Sequence, residues 1–404
     1  MLCQAKQMRF VRAASAAAAV VVGAVAAWLL WRTQVPGDLP LPPARLRAER
    51  AEDYSRLPRL LWAGRAGTDL LLLAGLAAAG PWLARRLRFG VAVLLVVLAA
   101  LWLVHLPFAA VLHWWQRRYG LTTQSYLAWL VDPWLELLAG ATVLSVALAV
   151  GMLLARRLGR RWWLAGGPAL AALGAAAILL QPLVVAPRLE PLRDRALVAE
   201  IQSLGTRLGV RPRDVSVKEA ARRTTRINAE VIGYGPTRKV VLWDTLLDGR
   251  VPAAEIRFVA AHELAHVARR HVWKGVAWFA LLATPIALVV AEATRRRGGL
   301  GEPAAVPLAV LVLVAVQLAL LPFANAVSRR YEAEADWVAL QVTRDPLAAR
   351  GLLERFATTN LATPSPPTWS YVLLATHPSL DERIAMAEAW ARRGPSRRAS
   401  PAGS

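Results

Sequence analysis

His262-Glu263-Leu264-Ala265-His266 stands a short step before a long apolar run that begins at Trp273, and these two stretches together decide how the chain is read. Successive residues of a helix lie about 100° apart, so His262 and His266 fall about 40° apart on one face, where two imidazoles can reach a single metal ion. Glu263 sits beside them. HExxH on a helix pairs two zinc ligands with a general base: the metal keeps one position for water, lowers its pKa to about 7, and the glutamate takes the proton. The remaining ligand must come from elsewhere in the chain.

One arrangement draws it from a histidine six residues after the second, with a glycine between. Val272 and Arg269 occupy those positions, which excludes that arrangement. Another draws a glutamate from a later helix, and Ser328-Arg329-Arg330-Tyr331-Glu332-Ala333-Glu334-Ala335-Asp336 offers one. Glu332 and Asp336 are four apart and share a helix face. On this reading Glu332 is the third ligand, and Asp336 orients a ligand imidazole, as metal-bound histidines usually require. The competing reading makes Glu332, Glu334 and Asp336 a solvated face paired with Arg329 and Arg330. Spacing alone leaves both open.

Working outward, hydrophobicity bounds the rest. Of the 404 residues 56% are hydrophobic, and the mean hydropathy is +0.38, above the balance of an ordinary soluble domain. Apolar runs long enough for a hydrocarbon core of roughly 30 Å lie at 14–31, 68–84, 90–112, 134–155, 162–186, 273–291 and 304–327. The expected fold is mainly α: a polytopic membrane protein with seven transmembrane helices and a small α+β catalytic region. Trp31, Trp134, Trp162 and Trp273, at the ends of runs, suit the interfacial belt. The first run has a second reading as a cleaved signal peptide, since Lys6, Arg9 and Arg12 precede it and Ala24-Val25-Ala26 supplies small residues. Against that, Trp28-Leu29-Leu30-Trp31 carries the apolar stretch past any cut there.

A formal net charge of +22 would point to nucleic acid in a soluble protein. Here the arginines flank apolar runs: Arg85, Arg86 and Arg88 follow the second, and Arg156, Arg157, Arg160 and Arg161 separate the fourth from the fifth. The lipid bilayer accounts for this charge, and no nucleic-acid partner is expected. Cys3 is the sole cysteine, which rules out a disulfide framework within the chain and a cysteine metal site.

The chain therefore divides into a membrane region, 1–186, with five runs; a metallopeptidase region, 187–391, holding the last two; and a tail, 392–404, rich in Arg, Ser and Pro and expected to be disordered. The metallopeptidase region has two polar stretches, one ending in the histidines and one opening with Glu332. Two apolar runs separate them. Two crossings return a chain to the side it left, so His262, His266 and Glu332 emerge on one membrane face if both runs span. In the first polar stretch, 195–208 has helical periodicity and the chain turns at Gly209; after Val215-Ser216-Val217 and a basic stretch over 222–226, two runs, 228–232 and 239–243, read as strands. Gly233, Gly235 and Pro236 make a hairpin of the two, and Pro252 begins a helix over 253–270. One of these strands is expected to pair with extended substrate backbone. The alternative is a structural sheet packed on the histidine-bearing helix.

The arrangement resembles the integral-membrane zinc metalloproteases typified by the type 1 CAAX prenyl protease. The resemblance covers most of the chain. It is carried by Trp115-Gln116-Arg117-Arg118-Tyr119-Gly120-Leu121, Arg223-Thr224-Thr225-Arg226-Ile227-Asn228-Ala229, Gly233-Tyr234-Gly235-Pro236-Thr237-Arg238 and Asp244-Thr245-Leu246-Leu247. It continues through the HExxH motif with His271 beyond it, the stretch from Asn325 to Asp336, and His377-Pro378-Ser379-Leu380-Asp381-Glu382-Arg383-Ile384. The resemblance implies helices enclosing a water-filled chamber, one zinc ion per chain, and Glu332 rather than Glu334 as third ligand, since Glu332 precedes Ala335-Asp336 by the ExxAD interval. It implies that Asn228, Asn325 and Arg329 contact substrate or brace the site. His377 becomes either a hydrogen-bond donor to the transition state or a brace at a helix start. His271, about 140° around a continuous helix from His266, is expected to brace and not to ligate, and His105 and His113 to lie near the interface. Two departures, Ala265 for a usual glycine and Ala221 for a usual serine, are small. No prenyl-reading residue can be named.

The expected activity is hydrolysis of peptide bonds in membrane-associated or lipidated proteins or peptides, with Glu263 and His377 catalytic. A heat-shock-type membrane quality-control protease shares the chemistry and is the alternative. A site-2-type intramembrane protease fits poorly, because Leu247-Asp248-Gly249 precedes the histidines in a polar stretch and does not lie within a later run. A metal transporter would repeat ionisable ligands through several spans, where these offer Glu136 and His105. Basic residues over 32–67, Arg117, Arg118 and the polar regions together favour a cytoplasmic catalytic side with the N-terminus outside.

Overall fold

The computed structural model describes residues 20–36, 46–185 and 189–393. Cys3, the basic residues before the first run and nearly all of the tail lie outside them. Helix α1 (Val20–Trp31) is the described part of the first run, and the small residues at 24–26 fall inside it. There follow α2 (Glu49–Ala78), α3 (Gly80–Leu87), α4 (Gly90–Arg118), α5 (Tyr126–Val131), α6 (Trp134–Leu158) and α7 (Trp162–Val185). The second run was expected as one helix over 68–84; instead α2 starts well before it and the chain breaks at Ala79. Pro81 explains the break: it has no N–H to give the Ala77 carbonyl, and its ring crowds that oxygen. The Arg297 guanidinium takes the carbonyl instead.

Five helical stretches among the described residues are long and apolar enough to cross a membrane: Glu49–Ala78, Gly90–Arg118, Tyr126–Leu180, His271–Arg297 and Pro303–Thr343. The sequence reading has seven runs. The difference lies in α1, shorter than a span over its described residues, and in Tyr126–Leu180, which bends at Gly159 (φ 54°) so that α6 and α7 pack side by side. Outward-facing Leu71, Leu103, Leu138 and Leu153 are more than half exposed, a surface that suits hydrocarbon and would be costly in water.

Outside these helices sits a four-stranded sheet of β1 (Glu190–Pro191), β2 (Asp214–Lys218), β3 (Ala229–Ile232) and β4 (Lys239–Trp243), in the order β1-β2-β4-β3. β2 and β4 run parallel; β3 and β4 form the antiparallel hairpin, Ala229 opposite Leu242 and Ile232 opposite Lys239. β3 is therefore an edge. Helix α8 (Arg195–Arg207), capped by the Asp194 carboxylate on the Ala196 and Leu197 N–H groups, and α9 (Ala253–Ala268) pack with the sheet. Val240, Leu242, Phe258 and Leu264 form its core with Trp337 and Leu340. The last two come from α11 (Val306–Thr343), which follows α10 (His271–Thr294). At 1.5 Å per residue, the 38 residues of α11 extend about 57 Å, far more than a bilayer core of about 30 Å. Its end thus belongs to the extramembrane core. Helices α12 (Pro346–Thr359), α13 (Thr368–Leu374) and α14 (Leu380–Arg392) complete that unit.

Candidate metal centre and peptide cleft

α9 presents His262 and His266 one turn apart, and the projecting end of α11 brings Glu332 to them. His262 Nε2 lies 3.1 Å from His266 Nε2 and 3.2 Å from Glu332 Oε2, with His266 Nε2 3.5 Å from Glu332 Oε1. One ligand atom from each falls within 4.8 Å of the others. Two nitrogens held about 2.0–2.1 Å from one ion at a tetrahedral angle are about 3.3 Å apart, so the spacing and the donor set suit zinc. Glu263 adjoins the group. Loss of hydration pushes its carboxyl pKa above the ordinary value, opposed by His262 and His266.

Asp336 lies one turn beyond Glu332 and 2.9 Å from His262 Nδ1. Arg383 of α14 holds it with two bonds, Nε to Oδ2 at 2.7 Å and Nη2 to Oδ1 at 2.8 Å, in a buried pair. Sequence reasoning quoted Arg383 within a motif and gave it no role; its partner is distant in the chain, and only the packing of α14 on α11 reveals the pair. Glu332 and Glu334, two apart, face opposite ways. Glu334 is fully buried and bonds His271 and Arg269 at 2.9 Å each, so a solvated acidic face does not describe this helix.

His377, at the entrance to α14, places Nε2 3.2 Å from Glu332 Oε2. The side chains of Asn325 and Arg329 engage backbone of and just after α13: Asn325 donates to Val372 O (3.2 Å), and Arg329 to Tyr371 O (2.9 Å) and Ala375 O (2.8 Å). Of the two options for this pair, bracing is the one their contacts serve. Asn228 is exposed at the start of β3, its carbonyl accepting from Trp243 N–H at 3.1 Å. The helix expected over 253–270 ends earlier, for Arg270 adopts a left-handed conformation (φ 56°) and α10 restarts at His271. That break swings His271 back, placing its Nδ1 2.9 Å from His266 Nδ1, which a continuous helix would not do. His105 meets Asp69, and His113 stacks on Trp129.

A cleft of ≈ 890 Å³ runs past His266, bounded by Val231 and Ile232 of β3 on one side and by Ile178 of α7 and Trp273 and Val276 of α10 on another. Antiparallel ladders alternate bonded and non-bonded pairs. Since Trp243 N–H bonds Asn228 O, the main-chain groups of Ala229 and Val231 point away from β4, off the sheet edge.

Fold and donor set together define an integral membrane protein with an HExxH-plus-glutamate site of the metallopeptidase kind. The chain belongs to Peptidase family M48, whose model matches residues 191–391. It is 28% identical over 283 residues to the uncharacterized metalloprotease YhfN of Bacillus subtilis (67% of this chain, 66% of that one). It is 28% identical to a CAAX prenyl protease 1 homolog of Oryza sativa (55% and 57%), and 30% identical to a protease HtpX homolog of Acidiphilium cryptum (47% and 71%). The first two matches thus span somewhat less than two thirds of those relatives. In fold it is similar to crystalline S. mikatae Ste24p, with a TM-score of 0.72 at 18% identity, over 91% of this chain and 96% of that one.

Proposed function

We propose that the chain is a membrane-embedded zinc metalloendopeptidase, like CAAX prenyl protease 1, acting on membrane-associated or lipidated proteins and peptides. The observation that carries this is the convergence of His262, His266 and Glu332 beside Glu263, at a cleft bordered by the free edge of β3. His262, His266 and Glu332 would hold one zinc ion, which when bound polarises a carbonyl and acidifies water. Glu263 takes the proton from the attacking water as its oxygen bonds to the peptide carbon, then gives that proton to the departing amine as the C–N bond breaks. His377 donates to the oxygen that gains charge. The outer edge of β3 at Ala229 and Val231, beside Asn228, holds substrate backbone extended, while Asn325 and Arg329 fix α13 and so the position of His377. Counting α6 and α7 separately and adding α1 gives seven spans, with the catalytic unit cytoplasmic.

Glu263→Gln tests the reading. It should retain about one zinc per chain while peptide hydrolysis falls by at least roughly a hundredfold, the scale of general-base contributions. Activity within a few-fold of the parent would remove Glu263 from this role.

A further inference from the structure

His271 lies outside the HExxH motif, yet it is buried and faces a proposed ligand. Its Nδ1 is 2.9 Å from His266 Nδ1 and its Nε2 2.9 Å from Glu334 Oε2. A ligand imidazole that offers Nε2 to a metal carries its proton on Nδ1. His266 must then donate to His271 Nδ1, and His271 must carry its own proton on Nε2 and donate that to Glu334. This arrangement of protons satisfies the whole chain. Glu334 is fixed in turn by Arg269 (2.9 Å), Lys274 (3.4 Å) and the Gln34 N–H (3.0 Å). The Tyr331 ring stacks on His271 with centroids 4.7 Å apart and planes 7° apart. Its hydroxyl donates to Leu30 O in the last turn of α1 at 2.7 Å. The His271 ring can therefore neither flip nor tilt freely.

We propose that His271 is a positioning residue for the metal site: with Glu334 it sets which nitrogen of His266 faces the metal and holds that ring in place. The inference rests on the zinc-site reading above. It gives the two histidine ligands separate supports, Asp336 and Arg383 for His262, His271 and Glu334 for His266. The second support reaches α1 through Tyr331 and the segment just after α1 through Gln34.

Three substitutions separate this role from simple packing. Glutamine can accept from His266 with its carbonyl and donate to Glu334 with its amide; asparagine is too short to span both, and phenylalanine can do neither. Zinc affinity is read by competition with a chelator, and the site's geometry by the visible spectrum of the Co²⁺-loaded protein. His271→Phe and His271→Asn should bind zinc about 10–100-fold more weakly, the usual effect of losing a ligand's hydrogen-bond partner, and should shift the cobalt bands. His271→Gln should stay within a few-fold of the parent with parental bands. If the phenylalanine variant does not fold, the Asn and Gln variants decide alone. Equal affinities and spectra across the folded variants, whether all parental or all weakened, would overturn the proposal. A parent protein that binds no zinc would instead overturn the metal site itself.

Discussion

His262 does two things with one ring: Nε2 converges with the other donors while Nδ1 meets Asp336 at 2.9 Å. Burial works against a charge on this imidazole, but Asp336 and then Glu332 outweigh it and hold the pKa up at about 10 in the metal-free chain. The sign follows. A group protonated at neutral pH must release that proton before zinc can bind, so affinity rises with pH and falls in acid. An ordinary histidine, with a pKa of about 6.5, would stop contributing above roughly pH 7.5. Here the increase, up to about tenfold per pH unit, should continue beyond it. Chelator competition at roughly pH 6.5, 7.5 and 8.5 checks this, and an affinity that levels off by the middle value would mean a neutral His262. The two histidines and Glu263 were legible in sequence because four-residue spacing on a helix is a local property. Arg383, 47 residues from Asp336, and the link from His271 to Glu334, 63 residues apart, were not, because each exists only after distant helices pack.

Among the elements, the hairpin of β3 and β4 was readable from alternation and glycine placement, whereas the breaks in helices were not. Pro81 stands inside an apolar run that hydropathy reads as continuous, and nothing local marks Arg270 as left-handed. That second break matters most, because it turns His271 toward His266. The edge strand carries its own prediction. Val231 N–H points off the sheet, so Val231→Pro removes no bond of the β3–β4 ladder, and proline is tolerated at such edge positions. It does remove a donor from the substrate's side. With a hydrogen bond contributing about 0.5–1.5 kcal/mol net and the ring obstructing approach, kcat/KM for a peptide should drop about tenfold at unchanged zinc content. Unchanged kcat/KM would place the substrate elsewhere than on β3.

At the scale of the whole molecule, the cleft is walled by the extramembrane sheet on one side and by α7 and α10 on another, so peptide would enter where protein meets bilayer. Which compartment supplies that peptide follows from orientation. Leu30 and Trp31, at the end of α1, bond to α11 beside the candidate metal site; if α1 spans, the N-terminus lies across the membrane from the proposed catalytic unit. With that unit cytoplasmic, Cys3 should react with an impermeant maleimide on intact cells, Cys3→Ser giving the blank; reaction only after permeabilisation would reject the proposed orientation or span count. Substrate class is the remaining consequence. Strand pairing reads backbone and not side chains, while Ile178, Val272, Trp273 and Val276 supply a general apolar wall among the cleft residues. On the proposed reading, the substrates are extended segments near a lipid anchor or a membrane span, with weak sequence preference. A prenylated C-terminal peptide and its unprenylated twin, offered to the purified protein in detergent, measure how much the lipid adds. We expect kcat/KM values within about tenfold of each other, about 1.4 kcal/mol, because an apolar wall shared with the bilayer gains little by exchanging detergent for a prenyl chain. A preference of a thousandfold would mean that a dedicated lipid pocket contributes to the transition state, and the enzyme would then be a processing protease for prenylated ends.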